Sequence, residues 1–230
     1  MADVKNDVIS IDERDVNSGR ILEMTQARTV NSDTLISVPA GYHAEMIIDG
    51  ERIKTLKSCK EKKLLKLIGS DKEGKSISVL YVNGRSFTPM SWGVGNLAIK
   101  YDFLGGESLS VGASGSLLAK LTDAYEFYKS FGKPFGQINI GECTSKIISL
   151  FRICASKILV GMFEEARQPI FETDFLVSEM DRRVKLQLCN RPLGEDIPGI
   201  ELISANVSII RVNEEDKNAM ITRFGTRRKR

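Results

Sequence analysis

Histidine and tryptophan occur once each in this 230-residue chain, as His43 and Trp92, and the four cysteines form no Cys-x-x-Cys pair. A tetrahedral zinc site draws on clustered cysteine and histidine. His43 is far in sequence from Cys59, Cys143, Cys154 and Cys189, so no metal site is expected. The same scarcity starves nucleophilic catalysis, because a Ser/His or Cys/His system has only His43 to serve as its base. Two disulfides could be drawn among four cysteines, but a chain of this length buries a core without staples, and the thiols are expected to be reduced and partly buried. Nowhere do about 18 apolar residues run without a charge, which excludes a transmembrane helix. Met1 to Arg20 has no apolar segment of the kind a secretory signal needs. With 33 Lys+Arg against 30 Asp+Glu, the net charge is only +3, so the chain as a whole is not built to seek polyanions. The expectation is a cytoplasmic globular protein, in keeping with 42% hydrophobic and 27% charged residues.

What is present falls into two halves. Residues 1 to about 22 mix Asp, Asn, Ser and Arg and read as a loose arm. Ala44, Met46 and Ile48 then alternate with His43, Glu45 and Asp49 up to Asp49-Gly50, the strongest short hairpin signal, because both central residues of a type I′ turn need positive φ. A return strand is expected from Arg52 to Leu56, a further strand from Ser76 to Val82, and a third from Val111 to Leu121. In the last, Val111, Ala113, Gly115, Leu117, Ala119 and Leu121 share one face. Beyond Glu142 the period changes. Ile147, Phe151, Cys154, Ile158 and Met162 recur every three or four residues, which predicts a helix ending at Gln168-Pro169. Leu176, Met180, Val184 and Leu188 predict a second helix from Thr173 to about Asn190. Ile203, Ala205, Val207 and Ile209 alternate with Ser204, Asn206 and Ser208 in one more strand. Asn213 is placed to cap a final helix with Glu214, Glu215 and Asp216 in its first turn.

Three stretches imitate catalytic motifs. Gly69-Ser70-Asp71-Lys72-Glu73-Gly74-Lys75-Ser76 spells a P-loop, yet a strand-like run rather than a helix follows it, so it reads as a charged turn between strands. Gly93-Val94-Gly95-Asn96-Leu97-Ala98 fits a loose dinucleotide fingerprint without the strand–turn–helix frame. Gly112-Ala113-Ser114-Gly115 is one residue short of a nucleophile elbow and lies inside a strand pattern. The neighbouring acids Glu164-Glu165 and Glu214-Glu215-Asp216 point about 100° apart on a helix and make no facing acid/base pair.

Two basic stretches remain. Between Glu51 and Lys66 there are seven basic residues, Arg52, Lys54, Lys57, Lys60, Lys62, Lys63 and Lys66, against two glutamates. Arg223, Arg227, Arg228, Lys229 and Arg230 end the chain with no acid among them. The readings are a solvated hairpin and helix end, contact with anionic lipid at about 1 kcal/mol per basic residue, or contact with phosphates of nucleic acid. Nucleic acid is the least favoured, because no aromatic residues interleave with the charge.

Several of these segments resemble a known family. Val38-Pro39-Ala40-Gly41-Tyr42-His43-Ala44-Glu45-Met46-Ile47-Ile48-Asp49-Gly50 is similar to the opening strand pair of the SPFH (band 7; stomatin, prohibitin, flotillin) domain. Tyr81-Val82-Asn83-Gly84-Arg85-Ser86-Phe87-Thr88-Pro89-Met90-Ser91-Trp92-Gly93 resembles a Phe-Val-Asn … Trp-Gly run of its bacterial, virion-core-protein-like branch. Ala113 to Phe127 and Gly199-Ile200-Glu201-Leu202 resemble later elements, and together the matches run collinearly from about Met24 to Met220. Relatives of that branch continue into a coiled segment and a zinc ribbon, neither of which precedes Arg230, so a short member or a piece of a longer chain is expected. The resemblance implies an α+β (mixed α/β) fold, with a β-rich lobe of antiparallel hairpins followed by helices packed on a strand. The implied division is an N-terminal arm at 1–23, an SPFH-like domain at 24–212, and the start of a C-terminal helix at 213–230. It further implies a non-enzymatic, self-associating scaffold at the inner face of a membrane that organises other proteins, with no cofactor. The alternative is a protein–protein interaction module with no membrane role. Candidate contacts are Arg52, Lys54, Lys57, Lys60, Lys62, Lys63, Lys66 and Arg227, Arg228, Lys229, Arg230.

Overall fold

A computed structural model describes residues 7–11, 19–83, 87–100, 108–166, 173–189 and 196–225. The fold is α+β and divides into two compact units, Met1–Ser86 with Leu121–Thr144, and Phe87–Lys120 with Ser145–Arg230.

The first unit holds a seven-stranded sheet built from β1 (Val8–Ile9), β2 (Arg20–Met24), β3 (Arg28–Thr29), β4 (Leu35–Ile48), β5 (Glu51–Lys63) and β6 (Ser76–Asn83), joined late in the chain by β9 (Gly136–Asn139). A short helix α1 (Leu65–Ile68) follows β5, and α2 (Ala124–Lys129) precedes β9. β1, β4, β6, β2 and β9 lie side by side, with β3 added on β6 and β5 on the free edge of β4. The β4–β5 hairpin turns where expected: Asp49 and Gly50 have φ of 52° and 80°, and Ile48 faces Glu51. Cross-strand pairs Ala44/Tyr81, Met46/Val79 and Ile48/Ile77 make one face of the sheet, and with Ile36, Val38 and Leu64 they form a buried apolar cluster. The Tyr81 hydroxyl lies 3.0 Å from the carbonyls of Ile9 and Ser37, so the deepest phenol on that face is hydrogen-bonded.

The arm expected at 1–23 differs from what is found. Val8–Ile9 pairs with β4, and β2 lies between β6 and β9 with Leu22 fully buried and Arg20 2% exposed. A strand covered on both faces shows no alternation, which hid β2 from a period-two reading. The return strand also runs to Lys63 instead of stopping at Leu56, because an edge strand tolerates lysines that look unlike strand formers.

The second unit contains β7 (Met90–Lys100), β8 (Ser108–Leu121) and β10 (Ile200–Val212) in the order β10-β8-β7, with helices α3 (Ile140–Glu164), α4 (Thr173–Leu188) and α5 (Glu214–Gly225). The unit boundary falls inside α3. Val111, Ala113, Leu117 and Ala119 of β8 are buried as their alternation predicts, and Gly115 and Leu121 on that face are half-buried. The strand starts earlier than expected, with Leu109 buried as well. On α3 the expected stripe Ile147, Phe151, Cys154, Ile158 and Met162 is buried, and the Phe151 ring meets Trp92 edge-on at 5.0 Å. Leu176, Met180, Val184 and Leu188 form the inner face of α4, and Asp181 on that helix accepts from the Val207 amide of β10 at 3.0 Å. β10 departs from its expected phase. Ile203 and Ile209 are exposed, while Ile200, Leu202, Ala205, Val207 and Ile210 are buried. The alternation slips by one residue at 203–204 and again at 208–209. Asn213 caps α5 as expected, its side chain accepting from Glu215 N at 2.8 Å.

A reciprocal cap opens α3 two residues earlier than the periodicity suggested. The Asn139 side chain accepts from Glu142 N and the Glu142 carboxylate accepts from Asn139 N, both at 2.9 Å. Asn139→Ala is expected to cost about 1 kcal/mol, seen as a fall of about 2–4 °C in Tm by thermal denaturation. Among the described residues, no helix is long and apolar enough to cross a membrane.

Candidate basic docking edge

The seven basic residues predicted between Glu51 and Lys66 lie together on β5 and the short helix after it. Among the described residues β5 pairs with β4 alone, leaving its outer edge open, and eleven of its thirteen residues are exposed. Thirteen residues of strand span about 40 Å. The register sets Lys54 and Lys62 opposite Met46 and Ile36 on one face, and Lys57 and Lys63 opposite His43 and Leu35 on the other. Charge on both faces makes the rim of the sheet the basic surface.

These seven cations are not equivalent. Arg52 is tied down, its guanidinium 3.3 Å from Glu45 and 3.2 Å from Asp123, the residue that caps α2. Burial pulls the Arg52 pKa down, but Glu45 and Asp123 outweigh it and raise the value. Lys54 donates to the Leu67 carbonyl at 2.5 Å, and Lys63 lies 3.6 Å from Asp33. Lys57, Lys60, Lys62 and Lys66 are exposed and make no ion pair among the described residues. Lys57, Lys60 and Lys62 on the open strand and Lys66 on the helix after it gather positive charge that can attract an anionic surface. Arg227, Arg228, Lys229 and Arg230 lie outside the described residues.

Glu45 alternates with the core residues Ala44 and Met46 and so points to the other face of β4, yet it is only 5% exposed. That face is covered too, with Leu22, Leu80 and Val82 buried on it and Tyr125 and Tyr128 of α2 lining a hollow of about 420 Å³ over Ile47 and Ser78. One Glu45 oxygen accepts from Arg52 and lies 3.7 Å from His43 Nε2; the other is buried without a hydrogen-bond partner. Removing Arg52 would leave this carboxylate with its main countercharge gone. Arg52→Met is therefore expected to destabilise by about 2 kcal/mol, below the usual cost of breaking a buried pair because Arg52 is partly exposed. Adding Glu45→Gln to that variant should recover at least half the loss in urea unfolding.

The motif imitations have clear structural outcomes. In the Gly69–Ser76 turn, the amides of Gly69, Lys72, Glu73, Gly74 and Lys75 donate to backbone carbonyls, so the groups a phosphate loop aims at its ligand are spent internally. Lys72 pairs with Asp71 at 2.7 Å, Lys75 lies 4.0 Å from Asp49, and Ser76 opens a strand. Gly93–Ala98 lies within β7, and Gly112–Gly115 within β8. Gly93 to Asn96 and Gly112 to Ser114 help line an open groove of about 570 Å³, whose lining side chains include neither a histidine nor a carboxylate. His43 belongs to the first unit. All four cysteines are free thiols. Burial pushes the Cys143 thiol up to about 12 and raises Cys154 and Cys189, the opposite of an activated nucleophile. Among the described residues, no group of three or more His, Cys, Asp or Glu side chains could hold a metal ion. Neither a protein-family model nor a curated protein matches the chain.

Proposed function

We propose that the chain is a non-enzymatic scaffold that self-associates, rests peripherally on the anionic inner face of a membrane through the β5 rim, and organises other proteins there. The observation that carries this reading is the group of exposed lysines without ion pairs among the described residues, Lys57, Lys60 and Lys62 on the open edge strand and Lys66 on the short helix that follows it. Each basic residue near an anionic bilayer contributes about 1 kcal/mol, so the four supply about 4 kcal/mol without any apolar insertion. The sequence resemblance to the SPFH superfamily supports the scaffold part, and the inward-turned amides of the Gly69–Ser76 turn support the absence of nucleotide chemistry.

A second reading has an observation of its own. Lysines on an exposed edge prevent edge-to-edge pairing, so the same row would serve an interaction module that never meets lipid. Light scattering across a concentration series is the test of assembly: masses well above the 25.6 kDa of one chain support the scaffold, and a strictly monomeric protein rules it out. Flotation with anionic vesicles separates the two readings, since a module without a lipid role stays at the bottom of the gradient.

A further inference from the structure

The outer face of α4 carries two of the most exposed large apolar side chains among the described residues, Phe175 at 69% and Leu186 at 65%. They are eleven residues apart, three turns of helix, and so share one stripe about 16 Å long. Glu179 and Arg182 fall between them on that stripe, opposite the buried row Leu176, Met180, Val184 and Leu188. The order is apolar, acidic, basic, apolar, with spacings of four, three and four. That order is symmetric about the point between Met180 and Asp181: Phe175 mirrors Leu186, and Glu179 mirrors Arg182. A two-fold contact requires just this property, since a residue facing its mirror position must also be faced by it.

We infer that α4 is an antiparallel self-docking helix whose occupant is the same stripe of a second copy of this chain. Phe175 then packs on Leu186 of the partner subunit, and Arg182 meets the partner's Glu179, twice over across the axis. The charges suit this. The Glu179 carboxyl is pulled down to about 2 by Arg182 and Arg183 and stays ionised at any neutral pH. Arg182 spends its Nε and one Nη on Glu179 of its own chain, with 59% of its side chain exposed, so further N–H donors remain for a second carboxylate. A stripe of three turns is small beside a standard interface of about 1,600 Å², so the pairing is weak and concentration-dependent. This inference deepens the self-association half of the proposed function and rests on it.

The test is sedimentation velocity of the full chain over a concentration series, with circular dichroism confirming that each variant is folded. The parent associates. Arg182→Glu alone places four acids at the contact and Glu179→Arg alone places four bases, so each weakens self-association by at least about tenfold. Mixed one to one, the two variants restore both charge pairs and associate as heterodimers at the parent's concentration. Phe175→Ser with Leu186→Ser weakens association by about a hundredfold. A parent that assembles while these variants assemble just as tightly overturns the α4 interface and leaves the scaffold reading standing. Variants that assemble like the parent but lose vesicle flotation overturn it too, and assign the stripe to lipid. A monomeric parent overturns the scaffold reading and this inference together.

Discussion

Reversing four charges together, Lys57→Glu, Lys60→Glu, Lys62→Glu and Lys66→Glu, is expected to lower partition onto anionic vesicles by about a thousandfold or more. Each lysine contributes about 1 kcal/mol near an anionic surface, each factor of ten in partition is 1.4 kcal/mol, and reversal adds repulsion to the lost attraction. All four side chains are exposed and free of ion pairs among the described residues, so the fold has little to lose. Charge reversal also separates the two roles of a lysine-lined edge. Glutamates block edge-to-edge pairing as well as lysines do, because what matters there is a buried charge, not its sign. A variant that remains dispersed and folded but no longer floats places the lysines at a lipid contact. One that floats like the parent leaves them only as edge guards. Reversal at Arg52 is avoided, since that residue neutralises Glu45.

Gly115→Val is expected to be the most destabilising single substitution in the second unit. A Cβ at Gly115 would stand 2.0 Å from the Asn206 carbonyl oxygen and 3.1 Å from Trp92 Nε1. The obstacle is backbone, so β10 itself must move. The same carbonyl accepts from the Trp92 indole at 3.3 Å, and the Asn206 side chain accepts from Ser116 N at 2.8 Å and Oγ at 2.7 Å. Displacing β10 therefore breaks a knot that ties β7, β8 and β10 together. The expected loss is about 3 kcal/mol, or about 6–12 °C in Tm for a chain of this size. Hydrogen exchange should show protection falling in β8 and β10. Gly95→Ala is the control: nothing lies within 4 Å of its added methyl, and its effect should stay within about 0.5 kcal/mol. A Gly115→Val protein as stable as the parent would mean that β10 does not sit where the Trp92 and Asn206 contacts put it.

Features set by local chemistry were legible in the sequence. Asp49-Gly50 announced a turn because two adjacent positive φ angles suit few residue pairs, and both angles are positive. The stripes of α3 and α4 were legible because one side of each helix faces apolar neighbours and the other does not. Features set by distant parts of the chain were hidden. β2 is sandwiched between β6 and β9 with both faces covered, so its Arg20 and Glu23 read as a polar arm. The burial of Glu45 was not legible, because nothing near it in sequence reveals that α2, some eighty residues later, will cover its face of the sheet. β7 carries a register shift between Val94 and Leu97 with Asn96 at φ 53°, which broke its alternation and made its glycines look like a ligand loop. The candidate rim was legible as a cluster of charge from Glu51 to Lys66. Only the register and the ion pairs separated the cations that are committed from the four that are free.

The most direct measurement is flotation of the unaltered chain with vesicles that contain or lack anionic lipid, repeated at rising salt. The account predicts partition onto the anionic vesicles alone, declining steadily as salt screens the lysine row. Equal partition onto both vesicle types, or binding to neither at low salt, would contradict it.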